Sequence, residues 1–338
     1  MLPEIIELKD MLNNKTVLIT GGTGSFGQKF SKIVLEKFPD IHKVIIFSRD
    51  EYKQFLMQNM PEFQPHLKKM RFFIGDIRDM ERLKMATHGV DVLVHAAAMK
   101  QVPSCEYNPF EAIKTNVIGA QNIIETSIYN GISKVIALST DKACAPVNLY
   151  GATKLCSDKL FIAGNAYRGD TSTVFCVVRY GNVAGSRGSV IPFFKKLLAE
   201  GTTKFPITDF RMTRFWLKLE QAVEMVLTAI QRTQGGELYV KKIPSMKITD
   251  LALAIAPNVE LMEVGIRPGE KIHEQMITRE DARNTLEFKD YFVVLPDVNV
   301  RHEGYFCTDC SPVAEDFEYS SGNNSWWLTV EEMQKLVE

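Results

Sequence analysis

At 338 residues and a formal net charge of −1, the chain has no excess of basic residues to attract nucleic acid or an anionic membrane surface. Hydrophobic residues make up 45% and charged residues 24% of the sequence, which is typical of a globular protein. No apolar run approaches the roughly 20 residues that span a bilayer, and the acidic start MLPEIIELKD is unlike a secretory signal. We expect a cytoplasmic protein without membrane or nucleic-acid partners.

The cysteines predict neither a disulfide framework nor a metal site. The six positions are Cys105, Cys144, Cys156, Cys176, Cys307 and Cys310. In a cytosolic chain we expect them to be reduced and mostly buried. The final two form a lone CxxC, and no second Cys or His pair follows at zinc spacing. We interpret this CxxC as a chance pair in a loop and predict no metal.

Apolar runs of strand length alternate with helix-length segments from Lys15 onward. In chain order we predict a strand at Thr16–Thr20, a helix at Gln28–Lys37, and strands at Lys43–Phe47, Met70–Ile74, Val92–Ala96, Lys134–Ser139 and Val174–Arg179. Such alternation predicts βαβ units, and hence an α/β fold with a doubly wound parallel sheet of the Rossmann type.

The regular pattern loosens after about Gly181, where loops rich in Gly, Pro and Arg begin. Irregular segments of α/β enzymes commonly build the substrate side. We therefore predict a Rossmann domain at 13–180 that holds the catalytic residues. Residues 181–338 are predicted to be mainly a smaller substrate-binding subdomain, with returns to the Rossmann sheet. The polar tail at 297–325 has no predicted role beyond packing or subunit contact.

A glycine-rich loop, TGGTGSFG, follows the first strand and opens the first helix. Gly21, Gly24 and Gly27 permit a tight turn, a close approach of the backbone to a pyrophosphate, and close packing of the helix on the strand. The helix N-terminus then faces the phosphates. A glycine triplet alone is weak evidence, but this position at the start of a βαβ chain predicts a dinucleotide site.

The end of the second strand bears on the choice between NAD and NADP. Ser48, Arg49 and Lys53 supply a hydroxyl and two cations, which suit a ribose 2′-phosphate and favour NADP. Asp50 leaves an alternative open, because it could be the acid that holds a free 2′-hydroxyl in NAD. The two cations could also be a solvated helix start. Asp76, after the third strand, is predicted to reach the adenine edge or to cap the strand end.

Tyr150 and Lys154 form a YxxxK spacing downstream of the fifth strand. On a helix this spacing places both side chains on one face, one turn apart. A nearby ammonium lowers the pKa of a phenol, so that Tyr150 could accept a proton from a sugar hydroxyl.

Through TGGTGSFG, HAAA and YGATK the chain resembles the extended short-chain dehydrogenase/reductase family over nearly its whole length. Within that family the triplet Thr140-Asp141-Lys142 is informative, because dehydratases that retain the C5 configuration carry Glu after Thr-Asp. The Asp-Lys form resembles the C5-inverting UDP-N-acetylglucosamine 4,6-dehydratases, whose flagellin-glycosylation members begin pseudaminic acid synthesis. FSRDE, AAAMKQVPSCEYNP, VRYGNVAGSRGSVIPFF, ITDFRMTRFW, GIRPGEKIHE and DFEYSS resemble the same group.

Gln101 departs from the flagellin branch, which usually has His after the Lys, and resembles a capsule-polysaccharide branch instead. That branch often lacks the tyrosine present here as Tyr150. The flagellin type is the closer resemblance, and the downstream pathway stays open.

The resemblance implies a lyase reaction without net oxidation on UDP-N-acetylglucosamine. Tyr150, helped by Lys154, would take the C4 hydroxyl proton while NADP accepts hydride. Lys142 would remove the C5 proton as a neutral amine, which requires its pKa to be lowered by burial and nearby cations. Asp141 would protonate the departing C6 hydroxyl, which requires the opposite pKa shift by desolvation. Asp141 and Lys142 could otherwise be a surface pair or a helix cap.

Residue by residue, the resemblance implies a site for tightly bound NADP and a site for a UDP-sugar. It also implies a homo-oligomer, of which a hexamer is one example. The cofactor residues are Gly21, Thr23, Gly24, Ser25, Phe26, Gly27, Ser48, Arg49, Lys53, Asp76, Ile77, Ala96, Lys100, Tyr150, Lys154 and Val183. The substrate residues are Lys100, Thr115, Asn116, Asn182, Arg187, Arg214, Arg267 and Glu270. The arginines suit a pyrophosphate and the carboxylate a ribose, although any one arginine alone could form a surface salt bridge.

Two rival functions remain open on the same fold. A nucleotide-sugar epimerase or reductase would retain the C6 oxygen, whereas a dehydratase loses it as water. A cofactor-sensing regulator would have kept the fold without activity, but Asp141, Lys142, Tyr150 and Lys154 are all intact.

Overall fold

The computed structural model describes residues 10–183, 190–296 and 307–337. Its strands are β1 (Thr16–Thr20), β2 (Lys43–Ser48), β3 (Met70–Ile74), β4 (Val92–His95), β5 (Lys134–Thr140), β6 (Val174–Tyr180), β7 (Asn182–Val183), β8 (Lys204–Ile207), β9 (Thr213–Leu217), β10 (Leu238–Lys241), β11 (Ser245–Lys247), β12 (Glu260–Glu263), β13 (Gln275–Ile277), β14 (Thr285–Glu287), β15 (Tyr291–Val294), β16 (Ser311–Pro312) and β17 (Tyr319–Ser320).

The α-helices are α1 (Ser25–Lys37), α2 (Glu51–Gln58), α3 (Met80–Thr87), α4 (Val102–Tyr107), α5 (Pro109–Ile113), α6 (Gly119–Asn130), α7 (Leu149–Gly164), α8 (Val190–Ala199), α9 (Leu219–Arg232), α10 (Ile248–Ile255), α11 (Arg279–Ala282) and α12 (Val330–Val337). Two 3₁₀ turns, Gln64–Lys69 and Asp141–Ala143, and a π-helical turn, Lys114–Ile118, complete the regular structure of the described residues.

Ten strands form the main sheet in the order β16-β14-β15-β10-β6-β5-β4-β1-β2-β3. Neighbours from β10 to β3 pair in parallel, and β15, β14 and β16 add an antiparallel edge. The order 3-2-1-4-5-6 within the parallel part is that of a doubly wound Rossmann sheet. The α/β fold class predicted from the sequence is confirmed, and each predicted strand ends within one residue of its observed end.

Strand β1 shows why an unbroken apolar run becomes a central strand. All five of its residues are buried, and successive side chains point to opposite faces of the sheet. Val17 and Ile19 share a core with α1 and α9, whereas Leu18 belongs to the core that includes α6 and α7. Helices therefore cover both faces, as a parallel sheet requires.

Helix α1 begins at Ser25, three residues before the predicted start at Gln28. Glycine is a poor helix former, so the sequence suggested that the whole glycine loop precedes the helix. In the structure Gln28 N–H donates to the Gly24 carbonyl at 2.9 Å, and Gly27 lies inside the first turn. The helix N-terminus is consequently part of the glycine loop itself.

The chain after residue 190 contributes to two layers. Strands β10, β14, β15 and β16 join the main sheet, while α8, α10 and α12 pack with β8 and β9 around a third apolar core that includes Phe194, Phe205 and Met333. The small sheets β12-β8 and β13-β17 lie in this part of the chain, and the sheet β11-β9-β7 joins two of its strands to β7, which ends at Val183. A division of the chain into domains at residue 180 stays a prediction.

Two expectations about cysteines and membrane spans can be compared with the structure. Cys307 and Cys310 lie next to each other, with Cα atoms 6.0 Å apart, within the range that a disulfide bridges. The expectation of a chance pair of reduced cysteines in a loop stays a prediction. Cys105, Cys144 and Cys176 are free and buried. In the described ranges, no helix is long and apolar enough to cross a bilayer.

Candidate active site

A cleft of about 1730 Å³ lies at the carboxyl ends of the parallel strands, where ligands of doubly wound sheets bind. The predicted cofactor residues lining it are Gly21, Thr23, Gly24, Ser25, Phe26, Gly27, Ser48, Arg49, Lys53, Asp76, Ile77, Ala96, Lys100, Tyr150, Lys154 and Val183. The predicted substrate and catalytic residues lining it are Lys100, Thr115, Lys142, Asn182, Arg214, Arg267 and Glu270. Asp141 and Asn116 are buried behind this wall, and Arg187 lies outside the described residues.

The glycine loop leaves space for a ligand because its residues lack side chains. Gly21 has φ +65°, and a Cβ there would lie 3.0 Å from the Ala97 backbone. A Cβ on Gly27 would collide with the Gly22 backbone, so α1 can approach the loop only because this residue is glycine. No acidic residue lies in the first turn of α1, and none of the described side chains caps it. Its free N–H groups suit an anion such as a pyrophosphate.

Asp50 has a local structural role at the end of β2. Its carboxylate caps α2 by accepting the Lys53 N–H at 3.0 Å, and it pairs with the Lys53 ammonium at 2.8 Å. These hydrogen bonds lower the pKa of Asp50. Arg49 remains largely exposed over the cleft, with its guanidinium 3.8 Å from Asp76. Of the two predicted cations, Arg49 is therefore better placed to bind a ligand phosphate.

The catalytic segment turns sharply from β5 into α7. Asn148 caps α7 by accepting the Gly151 N–H at 2.8 Å, and its amide donates to the Gly269 carbonyl at 2.8 Å. A Cβ on Gly151 would collide with the Lys142 carbonyl. This glycine therefore allows the start of α7 to lie against the turn that holds Lys142, which brings Tyr150 and Lys142 to the same wall of the cleft.

The Lys142 ammonium is surrounded by three acceptors. Its Nζ lies 3.1 Å from Asp141 Oδ1, 3.1 Å from Glu274 Oε1 and 3.3 Å from Asn182 Oδ1. A lysine ammonium has three N–H donors, so all of them are used. Burial opposes the charge, but Asp141 and Glu274 outweigh it and raise the pKa of Lys142. The expectation of a lowered pKa is wrong for this state, because two carboxylates contact the amine.

Asp141 is fully buried and only partly satisfied. Oδ1 accepts from Thr140 Oγ1 at 2.9 Å and from Lys142 Nζ at 3.1 Å, while Oδ2 has no hydrogen-bond partner among the described residues. Burial raises the pKa of Asp141, with Lys142 opposing. The direction is the one expected for a proton donor.

Tyr150 differs from expectation in its pKa. Burial raises the pKa of Tyr150 to about 12, and the cation that opposes this rise is Lys142. The Thr140 side chain also hydrogen-bonds to Tyr150. Burial lowers the pKa of Lys154, against the influence of Asp158. Desolvation therefore dominates the pKa of Tyr150, and the cation that opposes it lies on the turn after β5. The expectation that Lys154 also lowers this pKa stays a prediction.

Asn116 has a structural position. Its amide oxygen accepts the Met99 N–H at 2.8 Å, and its amide nitrogen donates to the Met99 carbonyl at 2.9 Å and to Thr153 Oγ1 at 3.0 Å. These bonds occupy the amide behind the cleft wall, and the predicted substrate contact of Asn116 stays a prediction. Thr115, one residue earlier, lines the cleft, and its buried hydroxyl contacts no described partner.

Arg214, Arg267 and Glu270 converge on the cleft from the second half of the chain. Arg214 is buried, and its Nη1 donates to the Thr213 carbonyl at 2.7 Å and to the Ile272 carbonyl at 3.1 Å. Because Arg214 is buried, the alternative of a salt bridge at the protein surface does not apply to it. Arg267 is exposed, and Glu270 Oε2 is buried without a hydrogen-bond partner among the described residues. These groups remain available to a charged ligand.

Sequence reasoning missed two polar residues at the centre of the site. Thr140 bonds to both Asp141 and Tyr150, and Glu274 pairs with Lys142. Thr140 stood in the informative triplet, and Glu274 ends the motif GIRPGEKIHE, from which only its arginine and first glutamate were selected. The signal for Glu274 was its place in a matching motif, whereas its contact spans 132 positions, from 142 to 274, and leaves no local pattern.

Comparisons with known proteins agree with this architecture. Residues 17–296 match the family model described as "Polysaccharide biosynthesis protein". The chain is 53% identical to a Campylobacter jejuni "UDP-N-acetylglucosamine 4,6-dehydratase (inverting)", over 97% of this chain and 98% of that protein. It is 40% identical to a Rickettsia conorii "UDP-glucose 4-epimerase", over 97% and 96%.

Among solved structures, the X-ray structure of Pen from Bacillus thuringiensis superposes with a TM-score of 0.88 at 36% identity, covering 96% of this chain and 98% of that one. Two dTDP-glucose 4,6-dehydratases crystallised with NAD share the fold at 21% and 22% identity. The resemblance to extended short-chain dehydrogenases/reductases is confirmed, and the chain belongs to the polysaccharide biosynthesis protein family.

Proposed function

We propose that the protein is a lyase that catalyses the C5-inverting 4,6-dehydration of UDP-N-acetylglucosamine to UDP-2-acetamido-2,6-dideoxy-β-L-arabino-hex-4-ulose. The observation that carries this proposal is the hydrogen-bonded pair of Asp141 and Lys142, 3.1 Å apart beside Tyr150 at the cleft. The pair supplies one acid and one base at a single position. The 53% identity to an inverting enzyme of this name supports the same reaction.

The glycine cradle and the bare N-terminus of α1 fit the pyrophosphate of a nicotinamide dinucleotide. When bound, the nicotinamide supplies the redox chemistry by accepting a hydride from C4 and returning it at C6. Arg49 supports NADP as the cofactor, because its exposed guanidinium suits a 2′-phosphate and Asp50 is occupied by the cap of α2.

Tyr150 takes the proton of the C4 hydroxyl in this proposal. Only the phenolate can take this proton, and the raised pKa of Tyr150 disfavours the phenolate, so the positive charges of Lys142 and Lys154 have to stabilise it. The Thr140 side chain also lowers the pKa of Tyr150, which favours the phenolate. The ketone formed at C4 then acidifies the hydrogen on C5.

A single proton shift converts the resting ion pair into the pair that the elimination needs. If one proton moves from Lys142 to Asp141 along their hydrogen bond, the products are a neutral amine and a neutral carboxylic acid. Exclusion of water by the substrate favours this exchange, because a low dielectric penalises charges. The amine then accepts the C5 proton, and Asp141 provides the proton that leaves with the C6 hydroxyl as water. The ion pair is restored at the end of this step. Once C6 has regained hydride, a proton that exchanges with solvent reaches C5 on the opposite face, which completes the inversion.

Thr140 provides the route between the buried acid and the sugar. Asp141 lies behind the cleft wall, but the Thr140 hydroxyl lines the cleft and donates to Asp141 Oδ1 at 2.9 Å. We place Thr140 as the relay that receives the proton of Asp141 and passes its own to the C6 oxygen. Arg214, Arg267 and Glu270 then hold the UDP group, with the arginines on the diphosphate and Glu270 on ribose hydroxyls.

The biological setting is part of the same proposal. The motif resemblance supports the first step of pseudaminic acid synthesis, or of a related 6-deoxy amino sugar, in the cytoplasm. A homo-oligomer, with the Rossmann domain at 13–180 and a substrate-binding subdomain at 181–338, completes the proposed enzyme.

Incubation of the purified protein with UDP-N-acetylglucosamine, followed by mass spectrometry, tests the reaction. We expect a product lighter by one water, formed without added reductant and without accumulation of NADPH. The 40% identity to a protein named UDP-glucose 4-epimerase supports an epimerase as the alternative. An epimerase would give a product of unchanged mass, and a plain dehydrogenase would give NADPH in proportion to product.

A further inference from the structure

Glu274 lies between the proposed catalytic lysine and the proposed diphosphate site. Its side chain is buried, with Oε1 3.1 Å from Lys142 Nζ and 3.6 Å from Arg214 Nε. No other described carboxylate contacts both of these cations. Glu274 therefore links the two functional parts of the cleft wall.

The C-terminal segment holds Glu274 in place. Its N–H donates to Ser321 Oγ at 2.9 Å, and the Ser321 N–H donates back to the Glu274 carbonyl at 2.7 Å. Ser321 Oγ also lies 2.7 Å from Thr213 Oγ1 on β9. The same strand carries Arg214, so the carboxylate and one of its cations share a rigid support.

The carboxylate is held as an anion in spite of its burial. Burial alone would raise the pKa of Glu274, but Lys142 and Arg214 outweigh it and lower the pKa. The other charged groups that act on this carboxylate are Lys271 and Asp141. Glu274 is among the residues that line the cleft, and its Oε2 is buried without a hydrogen-bond partner among the described residues. Burying a charge away from water is costly. A purely structural position could be filled by a neutral amide, so the charge of Glu274 calls for a role.

We propose that Glu274 is a positioning residue for Lys142. Glu274 and Asn182 accept two of the three N–H bonds of the Lys142 ammonium, and the third is thereby directed toward Asp141. After a proton moves to Asp141, the amine has two N–H bonds and one lone pair, so it can release one of its three acceptors. The contact with Glu274 then holds Nζ at the cleft wall while the lone pair turns from the buried Asp141 to the C5 hydrogen. This role rests on the proposed function of Lys142 as the C5 base.

Glu274→Gln tests the role, because glutamine keeps the shape and removes the charge. Loss of the anion lowers the pKa of Lys142, so the limb of the kcat–pH profile that reports Lys142 moves to lower pH. Loss of orientation lowers kcat by at least about tenfold, since misplacement of a reacting group by about 1 Å can cost a factor of about 100. Glu274→Asp keeps the charge and is expected to leave the limb near its wild-type position, with an intermediate kcat.

A second measurement reads Lys142 without substrate. Competitive acetylation of the holoenzyme with trace acetic anhydride, followed by peptide mass spectrometry, gives the pKa of Lys142 separately from that of other lysines. We expect a lower value in Glu274→Gln and an unmoved value in Glu270→Gln, a matched carboxylate in the same loop that should affect KM instead. Thermal unfolding identifies a variant that fails to fold, in which case Glu274→Asp decides.

Turnover by Glu274→Gln within threefold of wild type would overturn the proposal, as would an unmoved Lys142 pKa. If the wild-type protein does not dehydrate UDP-N-acetylglucosamine, the proposed function fails. The acetylation result still decides whether Glu274 controls Lys142.

Discussion

The chain before residue 183 and the chain after residue 190 build the same cleft in different ways. The first part brings its groups to the cleft by regular geometry, because the glycine loop, Asp141 and Tyr150 all follow parallel strands that end at one edge. The second part brings Arg214, Glu270 and Glu274 through short strands and turns tied together over long sequence separations, such as the contact between Thr213 and Ser321. The sheet therefore positions the proposed catalytic groups, whereas the later segments supply the charged groups that surround them.

The largest expected effect removes the proposed base. Lys142→Ala should lower the rate of dehydration by about 10²–10⁴-fold, the range of a general acid–base group. The absorbance from bound NADPH should be weaker but still present, because Tyr150 and Lys154 are intact while the Lys142 charge that favours the phenolate is lost. Lys159→Ala, an exposed lysine on the same helix, should leave turnover within twofold. A loss of less than tenfold in Lys142→Ala would contradict the assignment of Lys142, in the first part of the chain, as the C5 base.

Arg49→Ala tests the cofactor end of the same part. Removal of a charge-assisted hydrogen bond of about 1.5–3 kcal/mol should weaken NADP about 10- to 100-fold, while NAD binding changes little. Lys53→Ala should have a smaller effect, since Lys53 already pairs with Asp50. Fluorescence titration with each cofactor measures both. Equal weakening of NADP and NAD would contradict the 2′-phosphate contact.

Arg267→Ala tests the later part. This exposed cleft arginine should raise KM about tenfold and leave kcat nearly unchanged, since it binds the diphosphate equally in the ground state and the transition state. Arg279→Ala, at an exposed ion pair with Glu318 away from the cleft lining, should change neither constant. If kcat falls by the same factor as KM rises, Arg267 acts on the chemical step as well as on binding. That result would contradict the assignment of binding alone to this residue of the later part.

The smallest effect concerns stability. Burial lowers the pKa of His95 to about 3, so the folded state keeps this ring neutral while the unfolded state takes up a proton below about pH 6.5. The stabilisation is present above that pH and is lost as the pH falls toward 3, by about 1–2 kcal/mol between pH 6.5 and pH 5. Urea unfolding should show a weaker pH dependence in His95→Gln, and an unchanged one in His42→Gln, where the ring is exposed. Identical pH dependence in both variants would contradict the assignment.

The same difference between the two parts decides which features the sequence predicts: local patterns were predictable, and long-range contacts were not. Strand β1 and the glycine loop were predictable, because a buried run and a Gly spacing are local patterns. The structural role of Asn116 was not, since its partners Met99 and Thr153 lie far away in sequence. The raised pKa of Lys142 depends on Asp141, its neighbour in sequence, and on Glu274, whose contact exists only after folding. Motif matching identified residues near the cleft, but their protonation states required the packed environment.

The central claim is inversion at C5, and the product formed in D2O tests it most directly. An enzyme that removes the C5 proton on one face and delivers one to the other incorporates solvent deuterium at C5. NMR of the 4-keto product should therefore show deuterium at C5 and the L-arabino configuration. A product with the D-xylo configuration would contradict inversion, and a product that retains its C6 oxygen would contradict dehydration altogether.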